Sequence, residues 1–132
     1  MGLDVIIPVY KPDRKFDKLF AALLSQSVRP DHVILLNTET PDSTCAQLAK
    51  RLERIAQKQK AYIRGKIDVN IVSVLKEDFD HGGTRRMGVG RSDADYFVMM
   101  TQDAVPADDY LLERLLRAVQ EEGCAIAYAR QC

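Results

Sequence analysis

Val5-Ile6-Ile7-Pro8-Val9-Tyr10 decides how the rest of the chain is read. Its β-branched and apolar residues run on without alternating with polar ones, as expected of a strand covered on both faces, and Lys11-Pro12-Asp13 ends it. After it, Phe16, Leu19, Phe20, Leu23 and Leu24 recur at helical spacing, which predicts an amphipathic helix running towards Arg29-Pro30-Asp31. His32-Val33-Ile34-Leu35-Leu36-Asn37 repeats the buried-strand pattern. A polar turn from Thr38 to Ser43 follows, with Pro41 near a helix start, and Leu48, Leu52, Ile55 and Ala56 mark a second helix.

Beyond this point the alternation repeats with variations. Val69, Ile71 and Val74 alternate with polar residues between Ile67 and Leu75, the pattern of a strand nearer a sheet edge. Tyr96-Phe97-Val98-Met99-Met100 predicts a fourth strand that ends in Thr101-Gln102-Asp103-Ala104-Val105-Pro106. A helix starting near Ala107 should then carry Leu111, Leu112, Leu115, Leu116 and Val119 and close at Glu121-Glu122-Gly123. Cys124 to Tyr128 opens a fifth apolar strand. Strands and helices in alternation with short connections predict an α/β fold, one domain over residues 1–132, with a mostly parallel sheet between helical layers.

Composition narrows the function. The 19 basic and 19 acidic residues cancel, leaving no global field to hold a polyanion, so a dedicated nucleic-acid binder is not expected. The basic stretch Lys50, Arg51, Arg54, Lys58, Lys60, Arg64 and Lys66 reads as the solvated face of a helix. Cys45, Cys124 and Cys132 are widely spaced and lack any CxxC or Cys/His clustering, which fits reduced thiols rather than structural zinc. Met1-Gly2-Leu3-Asp4 runs into the first strand without the basic region or cleavage site of a secretory signal, and no apolar run is long enough for a bilayer. A cytoplasmic chain is expected, with any membrane contact either peripheral or supplied by a missing segment.

In parallel α/β sheets, ligands bind beyond the carboxyl ends of the strands, near the point where strand order reverses. The residues placed there are Pro8-Val9-Tyr10, Asn37-Thr38-Glu39 and Thr101-Gln102-Asp103. A fourth segment, His81-Gly82-Gly83-Thr84-Arg85-Arg86-Met87-Gly88, joins glycines to arginines that fork onto phosphate oxygens, ahead of a helix whose N-terminus favours an anion. Gly82-Gly83 taken alone fits a tight turn equally well, and His81 either touches phosphate or bonds within its own turn. Asp103 ends a buried strand, where a carboxylate must be paired, solvated or bound to a cation; the other reading makes it the cap of the helix near Ala107. One carboxylate with substrate phosphates is the usual way a protein holds Mg2+, and Mn2+ follows the same hard-ligand logic.

Taken in order, these pieces resemble family 2 glycosyltransferases of the GT-A type. Val5 to Tyr10 is similar to the family's opening strand, and Asp78-Phe79-Asp80-His81-Gly82-Gly83-Thr84-Arg85 with Thr101-Gln102-Asp103-Ala104 resembles its rhamnosyltransferase-like branch. The resemblance implies a Rossmann-like three-layer sandwich that binds a nucleoside-diphosphate-sugar. Pro8, Val9, Tyr10, Asn37, Thr38, Glu39, Gly83, Arg85 and Gln102 would contact the nucleotide, and Asp103 would hold Mg2+ or Mn2+. It also implies inverting transfer to a saccharide or lipid-linked saccharide acceptor at the inner face of a membrane. The general base would lie in an acceptor-binding half beyond the fifth strand, so the chain itself is expected to be an inactive donor-binding half. Asn37-Thr38-Glu39 departs from the family, where aspartates are common; Arg86 stands where asparagine is usual, and Gln102 replaces the first acid of the metal motif.

Asp108, Asp109 and Glu113 are alternative bases, but acids at a helix start commonly serve the helix dipole. Two other classes compete: a non-catalytic nucleotide-binding module, and a flavodoxin- or receiver-like signalling domain. A receiver needs an acidic cluster after the first strand, which Pro8-Val9-Tyr10 does not provide.

Overall fold

A computed structural model of the chain describes residues 2–58, 67–75 and 81–121. Strands and helices alternate through it: β1 (Leu3–Tyr10), α1 (Arg14–Leu24), β2 (His32–Thr38), α2 (Cys45–Lys58), β3 (Asp68–Val74), α3 (His81–Gly90), β4 (Tyr96–Met99) and α4 (Leu111–Glu121). The four strands form one sheet in the order β3-β2-β1-β4, and every neighbouring pair is parallel. The chain belongs to the α/β class, and its order reverses beside β1: β2 and β3 build outward on one side, β4 on the other. The fifth strand expected at Cys124–Tyr128 lies outside the described residues, as does Asp78-Phe79-Asp80.

Two apolar layers hold the sheet. On one face Val5, Ile7 and Val9 of β1 and Val33 and Leu35 of β2 meet Phe16, Leu19 and Leu23 of α1, Leu48 and Leu52 of α2, and Leu112 of α4. Phe16, Leu19 and Leu23 are fully buried, and burial of such side chains stabilises by roughly 1.5–3 kcal/mol each. On the opposite face Ile6, Ile34, Leu36 and Val74 pack with Val89 of α3 and Met99 of β4. Alternate residues of β1 thus feed both layers, which is why its sequence shows no polar period.

Helix boundaries follow local chemistry. The Asp13 carboxylate accepts from the Lys15 and Phe16 amides and starts α1. The helix stops at Leu24, ahead of the expected Arg29-Pro30-Asp31, because Gln26 is drawn away to α4: its Nε2 donates to the Asp108 carbonyl at 2.8 Å and its Oε1 accepts from the Leu112 amide at 3.1 Å. At the start of α2, Thr44 and Gln47 form a reciprocal capping box, with the Gln47 amide donating to Thr44 Oγ1 and the Thr44 amide to Gln47 Oε1. The basic face of α2 is solvated at Lys50, Arg54 and Lys58, but Arg51 forks onto Asp17 of α1 at 2.6 and 3.0 Å and ties the two helices together.

The segment from His81, expected as a glycine-rich loop ahead of a helix, is itself α3. Its close seat on the sheet depends on Gly88. A Cβ there would lie 2.5 Å from Ile6 Cγ2 and 2.9 Å from Leu36 Cδ1, so no side chain fits without displacing the sheet layer. Just past the end of α3, the Ser92 hydroxyl donates to Asp4 Oδ2 at 2.7 Å, near the start of β1. With Gly88 over mid-sheet and Ser92 at the amino end of the strands, α3 runs opposite to the strands and its first turn lies at their carboxyl ends.

Candidate functional site

The carboxyl rim of β1 and β4 is fastened by one side chain. The Tyr10 amide donates to Gln102 Oε1 at 2.7 Å, and Gln102 Nε2 donates to the Tyr10 carbonyl at 2.9 Å. This brings Tyr10 and Asp103, far apart in sequence, to the same mouth of the sheet, at the reversal of strand order where α/β folds bind ligands. Tyr10 is 38% exposed and Asp103 is open to solvent. Asp103 Oδ1 accepts the Thr101 hydroxyl at 2.9 Å, while Oδ2 has no partner among the described residues. Asp103 does not cap a helix, since α4 begins only at Leu111.

Beside Tyr10 the chain makes a tight exit. Lys11 has φ 45°, a left-handed conformation uncommon for a side chain of this size, and its Nζ lies 5.5 Å from the centre of the Tyr10 ring. A cleft of about 460 Å3 opens next to this turn, with Lys11, Ser43, Arg51 and Arg54 among its walls. Sequence reading singled out the turn as a strand end but not Lys11 as a wall residue. The signal was a bulky residue between a strand and Pro12, where extended backbone is the norm.

The β2 end behaves differently. Val9 and Tyr10 sit opposite Asn37 and Thr38, so the two strand ends adjoin. Asn37 and Thr38 are nonetheless buried, at 0% and 2% exposure. The Asn37 amide faces the Ser43 carbonyl and the Cys45 thiol, while Asn37 Oδ1 and Thr38 Oγ1 have no hydrogen-bond partner in the described structure. Glu39 Oε1 accepts the Cys45 amide at 3.0 Å, at the first residue of α2. That backbone hydrogen bond, followed by one from the Cys45 side chain, holds the Glu39 carboxyl below its ordinary range. Burial, and then a hydrogen bond to Glu39, push the Cys45 thiol up.

Of the other sequence-selected residues, Pro8 and Val9 lie on β1, with Val9 buried at 1%. Gly83, Thr84 and Arg85 fall in the first turn of α3, at the carboxyl rim; Thr84 is buried at 2% and Arg86 is exposed. The side chains of His81 and Arg85 lie outside the described part of the structure. The acids ahead of α4 serve the fold: Asp108 accepts from the Tyr110 amide and Arg114, and Asp109 from the Ser25 hydroxyl. Among the described residues no group of three His, Cys, Asp or Glu side chains could hold a metal unaided. The Asp103 carboxylate together with oxygens of a bound molecule is a donor set of the kind that suits Mg2+ or Mn2+. No described helix is long and apolar enough to cross a membrane.

Comparison with known proteins agrees with the fold. A family model described as Glycosyl transferase family 2 matches residues 4–131. The O-antigen chain rhamnosyltransferase RfbN of Salmonella typhimurium is 29% identical over 132 residues, 99% of this chain and 37% of that protein. The O-antigen chain rhamnosyltransferase WbaN of Salmonella anatum is 24% identical, over 96% of this chain and 36% of that protein. The chain thus spans little more than a third of these relatives. Among solved structures, residues 1–349 of S. aureus TarS superpose with TM-score 0.69 at 14% identity, covering 99% of this chain and 39% of that one. The same TarS segment in complex with UDP-GlcNAc gives TM-score 0.65 at 15% identity, covering 99% and 37%. At these identities the TarS likeness establishes the shared fold.

Proposed function

This chain belongs to glycosyl transferase family 2, and on that premise we propose that its carboxyl rim receives the nucleoside diphosphate of an activated sugar, with Asp103 sharing a Mg2+ or Mn2+ ion with the diphosphate. The observation that carries this reading is the double hydrogen bond from Gln102 to Tyr10, which sets an exposed aromatic ring and an exposed carboxylate at one mouth of the sheet. Tyr10 lines the base. The first turn of α3, with Gly83, sets the positive end of a helix at the rim for the phosphates, and Arg85, in the same helix, is the cation we assign to them.

In the whole protein the reaction is transfer of a sugar to an acceptor hydroxyl with inversion, and the relatives' names point to rhamnose as the sugar and an O-antigen saccharide as the acceptor. Negative charge grows on the diphosphate as it leaves, and this rim's task is to hold that charge. Arg85 stabilises it by charge-assisted hydrogen bonding. A divalent cation held by Asp103 would supply Lewis-acid stabilisation of the departing diphosphate. Proton removal from the acceptor is assigned to a carboxylate outside the described residues, since Asp108 and Asp109 already serve α1 and α4. We place this rim's work in the cytoplasm, at the inner face of the cell membrane.

Titration calorimetry with UDP and with dTDP, each with and without Mn2+, tests the reading. The expected result is binding strengthened about tenfold or more by Mn2+, with Asp103→Ala losing that gain. Equal affinity of the wild type and Asp103→Ala in Mn2+ overturns it.

A further inference from the structure

We infer that Gln102 is the positioning residue of this rim: its carboxamide replaces a missing strand neighbour and fixes the spacing between Tyr10 and Asp103. The inference rests on the reading of the rim as a diphosphate site, and it gives Gln102 a different task from touching the nucleotide.

The need for such a residue arises in β1. The edge of β1 that faces β4 offers its hydrogen-bonding groups at every second residue, as parallel ladders do. Gly2 O accepts the Tyr96 amide at 3.1 Å and Ile6 O the Met100 amide at 3.0 Å, so Pro8 and Tyr10 come next in that series. Pro8 has no N–H to give, and β4 has ended at Met99. From there the neighbouring strand among the described residues is β2, with Tyr10 opposite Thr38. The β4-facing N–H and C=O of Tyr10 thus lie past the end of β4, at a ledge one residue before the strained Lys11.

A primary amide carries a donor and an acceptor side by side, as a peptide group does. Gln102 presents that pair to Tyr10 at 2.7 and 2.9 Å, so the seam continues through a side chain where backbone pairing has stopped. The match is specific. Glutamate keeps the acceptor for the Tyr10 amide but sets an oxygen against the Tyr10 carbonyl, and asparagine is one methylene short. On either side of the clamp, Thr101 fastens the Asp103 carboxylate. Three successive residues therefore set the carboxylate's direction, its distance from Tyr10, and the carboxylate itself.

The test compares Gln102→Leu and Gln102→Glu with the wild-type chain. It reads UDP affinity with and without Mn2+, hydrogen exchange of the Tyr10 amide by NMR, and circular dichroism as a check of folding. In Gln102→Leu the Tyr10 amide should exchange at least about tenfold faster. UDP affinity should fall about tenfold in Mn2+ and distinctly less without it, because the cation alone depends on the Tyr10 to Asp103 spacing. Gln102→Glu should retain part of the amide protection through its remaining acceptor, and if the leucine variant fails to fold, the glutamate variant carries the comparison. Equal losses with and without Mn2+ would make Gln102 a ligand and overturn the inference, as would unchanged Tyr10 exchange. A wild type with no Mn2+ effect defeats the diphosphate reading instead, and Tyr10 exchange then decides whether the clamp exists.

Discussion

Asp4 and Asp103 mark opposite ends of the seam between β1 and β4, one 1% exposed and the other open to solvent. Both Asp4 oxygens are engaged: Oδ1 lies 3.1 Å from His32 Nδ1 and Oδ2 accepts the Ser92 hydroxyl at 2.7 Å. Among the described residues the Asp103 carboxylate has a single hydrogen bond, from Thr101, two residues away. A buried carboxylate persists only when its partners replace water, whereas an exposed one keeps lone pairs for a ligand. The amino end of the seam uses an acid to join β1 to β2 and to the end of α3, and the carboxyl end holds one in reserve. The comparison teaches that at a sheet end the partners of an acid, rather than the acid itself, separate scaffold from site.

The widest gap between the two ends is in stability. Asp4→Ala removes the partner of both His32 and Ser92 and should lower the unfolding free energy by about 2–3 kcal/mol in urea denaturation; a loss near zero would erase the distinction. A subtler effect is expected at Glu39, an acid of the carboxyl end that has acquired a structural partner. Its folded-state pKa lies below the ordinary 4.5, chiefly through the Cys45 amide, so its contribution is present above that value and lost as pH falls through the lower folded value. Glu39→Gln should therefore be less stable than the wild type near neutrality, with the gap closing in acid, as denaturation at a series of pH values will show. A gap that does not vary with pH would remove Glu39 from the structural acids. Least of all, Asp103→Ala should change stability by less than about 0.5 kcal/mol, since among the described residues its carboxylate holds only the exposed Thr101 hydroxyl. A large loss there would make Asp103 a scaffold acid like Asp4.

The fold was legible where hydrophobic spacing is strong. β1, β2, β4, α1 and α2 carry unbroken apolar runs or helical spacing, and the alternation in β3 placed it correctly at an edge of the described sheet. The helix His81–Gly90 was hidden because its glycines are poor helix formers, and what holds it is its fit against Ile6 and Leu36, which local sequence does not display. The start of α4 was misplaced for a related reason: Asp108 and Asp109 look like a helix beginning but are engaged by Arg114 and Ser25, with α4 starting at Leu111. In the site, the convergence of Tyr10 and Asp103 on one rim follows from strand order and was readable. The role of Glu39 at α2 was not, nor was the burial of Asn37 and Thr38, because both depend on how the turn to Ser43 folds back. Asp4 escaped notice because its partners lie 28 and 88 positions away.

Tyr10 and Gln102 are 92 positions apart, whereas β1, β2 and β3 pair in the order in which they are made. A chain leaving the ribosome can therefore assemble three strands before β4 exists. Closing so long a loop is entropically slow compared with joining neighbours. Within the described sheet the mouth closes only once residues 96–103 have emerged, after β1, β2 and β3 can already have paired.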